Sequence, residues 1–183
     1  SRPVSEVVGV ADPGLVRVEI CGPTVLHPLR LRVLRPGQLP SSVDHEHDYW
    51  PETFHVGAFD STGAAVGCAT FYPEPSPTGR IGWLRQAMAT APEVRGKGYG
   101  AKVLRRGIDE IRLRGGDFLW CNARKGAVWF YQRLGFVTVS EEFEIAPIGP
   151  HYVMEIDLVT GLTDRNGQKV NTSNATAEPP PSR

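Results

Sequence analysis

Three alternating glycines constrain this chain more than any other feature, because they stand between a strand-like run and a helix-like run. The first run ends at Thr90, Pro92 turns the chain, and the glycines follow in the stretch Arg95-Gly96-Lys97-Gly98-Tyr99-Gly100. Glycines lack a Cβ atom and let successive backbone N–H groups face one side, and a helix N-terminus adds a partial positive charge. The stretch therefore predicts a site for an anion such as a phosphate or diphosphate.

The charge pattern around this stretch also favours an anionic ligand. Residues 95–133 contain ten basic and three acidic side chains, whereas the whole chain balances 20 Lys and Arg against 20 Asp and Glu. A basic segment in a neutral protein indicates a small anionic ligand. The zero net charge argues against a nucleic-acid-binding protein.

Two other interpretations of the glycines stay open on spacing alone. A flexible turn before a solvated basic helix would use the same residues. The pattern Gly96-x-Gly98-x-x-Ala101, with Asp117 downstream, also resembles a loose dinucleotide fingerprint. Against the dinucleotide interpretation, several residues separate the glycines from the preceding strand, and only one strand–helix–strand unit follows.

The order of predicted elements indicates one α/β domain in a chain of 183 residues. Strands come first, and a strand–helix–strand–helix–strand–strand series follows, which predicts a mixed sheet with helices packed on it. The predicted strands are 16–20, 53–59, 65–72, 80–90, 117–122, 136–139 and 152–159, and the predicted helices are 24–34, 98–114 and 125–134. The expected apolar face of the second helix consists of Ala101, Leu104, Ile108 and Ile111.

The chain is expected to divide into three parts. We expect an N-terminal arm with a candidate edge strand over residues 1–23, a folded domain over 24–159 and a flexible tail over 160–183. The three cysteines show no C-x-x-C pair, so we expect no disulfide framework, and Cys68 and Cys121 are predicted to be buried, inert thiols. These features, with no leader-like or membrane-spanning run, predict a cytoplasmic protein.

A second motif follows about 30 residues after the glycines, in the stretch Ala127-Val128-Trp129-Phe130-Tyr131-Gln132-Arg133-Leu134-Gly135-Phe136. It resembles the A-x-x-x-Y-x-x-x-G-F segment of the GNAT superfamily of N-acetyltransferases. The glycine stretch matches that family's acyl-CoA loop, R/Q-x-x-G-x-G/A, at every fixed position. The resemblance implies a single-domain GNAT-like fold, with a mostly antiparallel mixed sheet, one splayed parallel strand pair and flanking helices.

The resemblance also implies direct transfer of an acetyl group from acetyl-CoA to an amine. In such proteins the pantetheine arm lies in the slot between the two splayed strands, and a strand N–H near Met88 or Ala89 polarises the thioester carbonyl. Tyr131 occupies the family's position for the acid that protonates the CoA thiolate, although a core aromatic is the alternative. The implied cofactor-binding residues are Met88, Ala89, Thr90, Arg95, Gly96, Lys97, Gly98, Tyr99, Gly100 and Asn122. The inclusion of Asn122 departs from the family pattern, in which the Asn stands at the position of Arg124.

No motif marks the base that deprotonates the amine. Glu144 and His151 flank a Pro- and Gly-containing loop between the last two predicted strands, and we predict both as catalytic candidates. His55 and the cluster 44–48 are further candidates. For each candidate the alternative is a solvent-facing residue with no catalytic role. The two histidines of that cluster would face one side only in an extended segment, so we predict no metal site.

These observations favour an acetyl-CoA-dependent N-acetyltransferase that acts on a primary amine of a small molecule or a protein. The alternative is a non-catalytic module of the same fold that binds CoA or another protein. We expect neither nucleic acid nor membrane as a partner, while the acceptor and a homodimer stay open.

Overall fold

A computed structural model describes residues 14–159, so the predicted arm before residue 14 and the tail after residue 159 lie outside the described residues. The described part forms one sheet of eight strands in the order β1-β2-β3-β4-β5-β8-β6, with β7 paired to β8. The strands are β1 (Leu15–Cys21), β2 (Phe54–Asp60), β3 (Ala65–Pro73), β4 (Trp83–Thr90), β5 (Phe118–Arg124), β6 (Val137–Thr138), β7 (Phe143–Ile145) and β8 (Gly149–Asp157). Only β4 and β5 pair in parallel, which confirms the predicted mixed, mostly antiparallel α/β sheet.

The parallel pair β4/β5 opens soon after it begins. Its Cα partners are only Trp83 with Leu119 and Leu84 with Trp120, so the rest of β4 has no registered partner in β5. On its other side, β4 has a bulge against β3, where the register shift sets Ala87 and Met88 opposite one residue. Ala87 has a φ of 49°, which is unusual for a residue other than glycine. The sheet is therefore split and locally bent along β4.

Within residues 14–159 three α-helices flank the sheet, and short 3₁₀ turns directly adjoin the starts of the first and the third. They are α1 (His27–Leu34), α2 (Tyr99–Leu113) and α3 (Val128–Arg133). α2 buries an apolar stripe against β2 and β3, and its Gly107 lies so close to Phe71 that an added Cβ would fall 2.2 Å from the ring. The buried stripe differs from the predicted one, because Ala101 is only half-buried and the buried set is Tyr99, Val103, Leu104, Gly107, Ile108 and Ile111.

Two regions depart from the prediction. Residues 37–52 contain two 3₁₀ turns, Pro40–Val43 and Glu46–Tyr49, where a plain loop was expected. The loop expected between the last two strands is instead a hairpin, because β7 pairs with the first residues of β8. Cys68 and Cys121 are buried as predicted, and burial raises the pKa of Cys68 to about 12. Within residues 14–159 we find no helix with the length and apolar character needed to cross a bilayer.

Candidate active site

The split between β4 and β5 opens into the main cleft of the described residues, with a volume of about 1090 Å³. This volume is at the upper end for ligand pockets. One end of the cleft is the glycine stretch that precedes α2. The segment after α1, the 3₁₀ turn around His47 and the β7–β8 hairpin also line the cleft. The glycine stretch and Tyr131, which were predicted from separate motifs, line the same cleft.

The backbone of the glycine stretch leaves most of its N–H groups without a protein acceptor among the described residues, as an anion site requires. Gly96 and Gly98 have φ values of 83° and 81°, and Gly98 caps the N-terminus of α2. Within residues 14–159, no backbone carbonyl accepts a hydrogen bond from the N–H of Gly96, Gly98, Tyr99 or Gly100. The N–H of Lys97 instead donates to the carbonyl of Val94, at 3.4 Å, so this amide is not available to a ligand.

Side chains on both splayed strands complete this end of the cleft. Met88, Ala89 and Thr90 of β4 line it, as does Asn122 of β5. Arg95, which immediately precedes the glycines, is exposed and also lines the cleft. The ring of Phe130 lies 3.6 Å from where a Cβ on Gly100 would stand, so α3 adjoins the glycine stretch.

Tyr131 is held by hydrogen bonds in the wall of the cleft. It is 5% exposed, its hydroxyl accepts a hydrogen bond from Arg85 Nη2 at 2.7 Å, and the same hydroxyl donates to Met88 Sδ at 3.7 Å. Burial raises the pKa of Tyr131 to about 12, although the charge of Arg85 opposes this rise. Tyr131 is therefore protonated at neutral pH, and its proton faces a sulfur atom of β4.

The structure separates the two predicted base candidates. His151 is 4% exposed and lines the cleft, whereas Glu144 is exposed and is not among the lining residues. His151 Nδ1 lies 2.7 Å from the carbonyl oxygen of Gly149. A carbonyl oxygen only accepts, so Nδ1 carries the proton and the neutral ring keeps the lone pair on Nε2. A lone pair on Nε2 suits His151 to accept a proton from a ligand in the cleft.

His55 belongs to a buried polar network that lies behind the cleft. Arg30, which is fully buried, makes two hydrogen bonds to the carboxylate of Asp48, at 2.6 and 3.1 Å, and also donates to Thr70. His55 Nδ1 lies 2.7 Å from the hydroxyl of Thr70, and its Nε2 lies 3.1 Å from the carbonyl oxygen of Asp48. Both ring nitrogens of His55 are thus engaged, and this network ties α1 to β2, β3 and the 3₁₀ turn.

His45 and His47 do face the cleft, though not because their segment is extended. Their rings stack with centroids 5.0 Å apart across the start of the 3₁₀ turn. Burial lowers the pKa of both histidines, and the charge of Arg30 acts in the same direction. These side chains are therefore mainly neutral at pH 7.

The described residues contain one group that could hold a metal ion, and it includes neither His45 nor His47. His27, Asp44 and Asp48 bring their ligand atoms within 4.8 Å of one another. Both carboxylate oxygens of Asp48 already accept hydrogen bonds from Arg30, which supplies the cation beside this carboxylate. The absence of a functional metal stays a prediction.

Sequence reasoning missed the arginines of the site. Arg30, Arg35, Arg85 and Arg124 all line the cleft. Arg124 stands where the family pattern has an Asn, and the other three belong to no recognisable motif. A further signal was the position of Arg85 in the strand that precedes the glycines, on the same strand as Met88. Its partner Tyr131 lies 46 residues away in sequence, so the pairing could not be read locally.

Comparisons with known proteins agree with this geometry. The model of the acetyltransferase (GNAT) family matches residues 25–136. The uncharacterized N-acetyltransferase YitI of Bacillus subtilis (strain 168) is 30% identical to this chain over 128 residues, which is 69% of this chain and 85% of YitI.

Solved structures resemble the fold at lower sequence identity. Escherichia coli ElaA superposes with a TM-score of 0.63 at 16% identity, covering 78% of this chain and 99% of ElaA. An aminoglycoside 6'-N-acetyltransferase complexed with coenzyme A has a TM-score of 0.63 at 17% identity, covering 79% of this chain and 98% of that protein. Since the family model spans more than half of the sequence, this chain belongs to the GNAT acetyltransferase family and is an acyltransferase.

Proposed function

We propose that this acyltransferase moves an acetyl group from acetyl-CoA directly to a primary amine, with Tyr131 as the acid and His151 as the base. The observation that carries the proposal is the hydrogen bonding of Tyr131. Its hydroxyl accepts from Arg85 and directs its proton toward a sulfur atom on β4, in the same cleft as the uncapped amides of the glycine stretch.

The glycine stretch would bind the diphosphate of acetyl-CoA. The free N–H groups of Gly96, Gly98, Tyr99 and Gly100 meet the partial positive charge of the α2 N-terminus, and Arg95 adds a full charge beside them. Acetyl-CoA supplies the acetyl group and the thiolate that leaves. The exposed edge of β4 can pair with the amide-rich pantetheine arm as an added strand.

The residues at the middle of the cleft would move the protons. His151 takes a proton from the incoming ammonium on Nε2, which leaves a neutral nitrogen nucleophile. As the C–N bond forms and the C–S bond breaks, Tyr131 gives its hydroxyl proton to the departing sulfur. The acylated nitrogen then loses its second proton, which returns the Tyr131 oxygen to the phenol form. Arg85 stabilises the negative charge that develops on the Tyr131 oxygen, because its guanidinium already donates to that atom.

Two measurements test this proposal. Isothermal titration should give a micromolar-range Kd for acetyl-CoA, and a broad amine panel should release the CoA thiol. Tyr131→Phe should lower kcat about 100-fold, the usual contribution of a general acid, with little change in the Kd of acetyl-CoA.

Tyr152→Phe is the matched control, since the hydroxyl of Tyr152 donates to Glu142 outside the cleft lining. We expect this variant to retain wild-type turnover. Slow turnover that is equal in wild type and Tyr131→Phe would contradict the proposed acid and favour a non-catalytic CoA-binding module.

A further inference from the structure

The permanently charged side chains that line the cleft are all positive. Among residues 14–159 its lining includes seven arginines and no aspartate or glutamate. The arginines are Arg30, Arg35, Arg85, Arg95, Arg105, Arg124 and Arg133. Such a surface attracts an anionic ligand and repels a polycation. Acetyl-CoA accounts for part of this charge but not for all of it.

The arginines divide by position and by partner. Arg95 precedes the glycine stretch, Arg105 lies on α2 and Arg133 ends α3, so these three adjoin the diphosphate end. Arg30 is neutralised by Asp48, and Arg85 holds Tyr131. Two arginines, Arg35 and Arg124, have no assigned role.

Arg35 and Arg124 both line the cleft, Arg35 after α1 and Arg124 at the end of β5. Arg124 is the register partner of His151 across β5 and β8, and its charge acts on the phenol of Tyr131. Arg35 directly follows α1, and its charge acts on His45. Among the described residues, neither guanidinium lies within ion-pair distance of a carboxylate.

Most of the acidic side chains that are close in sequence to the lining residues already form an ion pair or a hydrogen bond within the protein. Glu93 binds Arg32, Asp48 binds Arg30, and Asp44 accepts a hydrogen bond from Tyr49. Near the hairpin, Glu142 binds Lys125 at 2.7 Å. Glu144 is exposed and does not line the cleft. The cleft therefore offers an ammonium group no carboxylate, and its arginines favour the neutral, nucleophilic form of a bound amine.

We infer that the acceptor is an amine that also carries a carboxylate, and that Arg35 and Arg124 bind this carboxylate. The inference rests on the proposed acetyl transfer and narrows its substrate class. A guanidinium donates two parallel hydrogen bonds to a carboxylate, which fixes the orientation of the acceptor. Ile145 and Ile148 of the hairpin region also line the cleft and provide an apolar surface for the rest of the acceptor.

Matched amines test the inference through kcat/KM for thiol release. The pairs are L-phenylalanine with 2-phenylethylamine, L-leucine with 3-methylbutylamine, and L-lysine with cadaverine, with spermidine and kanamycin as polycations. We expect the carboxylated member of at least one pair to be favoured about tenfold or more over its partner, and the polycations to be poor acceptors.

Since paired amines also differ in basicity, the variants give the sharper comparison. In the double variant Arg35→Gln/Arg124→Gln, the kcat/KM of the carboxylated amine should exceed that of its partner by no more than about threefold. The Kd for acetyl-CoA should not change. Arg17→Gln is the control, because Arg17 pairs with Glu19 on β1, and its ratio should equal that of wild type.

The outcomes separate the two proposals. Efficient acetylation of the uncarboxylated amines or of the polycations, or an unchanged ratio in the double variant, would overturn the carboxylate inference and leave acetyl transfer standing. Binding of acetyl-CoA without acetylation of any amine, or no binding at all, would overturn both.

Discussion

The two ends of the cleft are built in opposite ways. The part proposed to bind the diphosphate, here called the diphosphate end, consists of consecutive residues at one strand–helix junction and offers backbone N–H groups. The part proposed to bind the amine, here called the acceptor end, brings together side chains from the segment after α1, a 3₁₀ turn, β5 and the β7–β8 hairpin, which are far apart in sequence. A site made from a short piece of backbone depends mainly on local conformation. A site made from distant side chains depends on the packing that holds those segments together.

The buried network around Arg30 provides that packing for the acceptor end. Arg30 on α1 binds Asp48 on the 3₁₀ turn, and the same guanidinium reaches Thr70 on β3. A buried charge that loses its partner is costly, so this network should govern the acceptor end and leave the diphosphate end unaffected. The following predictions ask whether the two ends can be disturbed separately.

The largest effect is expected from Asp48→Asn, which keeps the shape of the side chain and removes the charge facing Arg30. The buried guanidinium then lacks its counter-ion, and the free energy of unfolding should fall by about 3 kcal/mol. Urea denaturation measures this loss. Titration of the folded variant should give a Kd for acetyl-CoA within about twofold of wild type, because the glycine stretch does not contact Asp48.

Asp44→Asn is the control for this prediction, since Asp44 is exposed and accepts its hydrogen bond from Tyr49 at the surface. Its effect on unfolding should stay within about 0.5 kcal/mol. Equal losses in the two variants, or a parallel loss of acetyl-CoA affinity in Asp48→Asn, would show that the two ends are not separable.

The next effect tests the diphosphate end through Gly98→Ala. Gly98 has a φ of 81°, so the added Cβ strains the turn that presents the free N–H groups. We expect the Kd for acetyl-CoA to rise about tenfold, which corresponds to about 1.4 kcal/mol. Isothermal titration checks this value.

Gly63→Ala is a closely matched control. Gly63 has a φ of 84° in the turn between β2 and β3, and a Cβ there meets nothing within 4 Å. Both substitutions should destabilise folding by a similar amount, about 1 kcal/mol, because both force a non-glycine residue into the left-handed region. If Gly63→Ala weakens acetyl-CoA binding as much as Gly98→Ala does, general strain rather than the local amides explains the loss.

The same contrast explains how much of the molecule could be predicted from its sequence. The turn at the glycines and the helix that follows it could be predicted from the sequence, because these properties belong to consecutive backbone groups. The mixed sheet followed from the order of elements along the chain, and the resemblance to the family implied its one parallel pair. The acceptor end was not predictable in this way, because it is defined by contacts rather than by neighbours in sequence.

Three residues show why. Arg30 and Arg32 stand two apart on one short helix, yet Arg30 is fully buried against Asp48 and Arg32 is exposed beside Glu93. Nothing in the local pattern distinguishes them, because burial depends on where the 3₁₀ turn folds back. Arg85 is a similar case, since its contact with Tyr131 joins residues 46 positions apart.

The smallest predicted effect is a pH dependence that arises at the acceptor end. Burial lowers the pKa of His45, His47 and His55 below their ordinary value of 6.5. Below that pH the unfolded chain binds more protons than the folded chain, so the free energy of unfolding falls as the pH falls. The stabilisation is complete above pH 6.5 and is lost progressively below it. Urea denaturation at pH 7.5 and pH 5.5 should reveal a lower midpoint at pH 5.5.

The double variant His45→Gln/His47→Gln assigns part of this dependence to the cleft. One full proton changes the free energy of unfolding by about 1.4 kcal/mol per pH unit. His45 and His47 are half-buried, so solvent screening keeps the contribution of each well below this value. The variant should flatten the slope between pH 6.5 and 5.5 while leaving the part that belongs to buried His55. A steeper slope in the variant, or greater stability at pH 5.5 than at pH 7.5, would contradict the lowered pKa values.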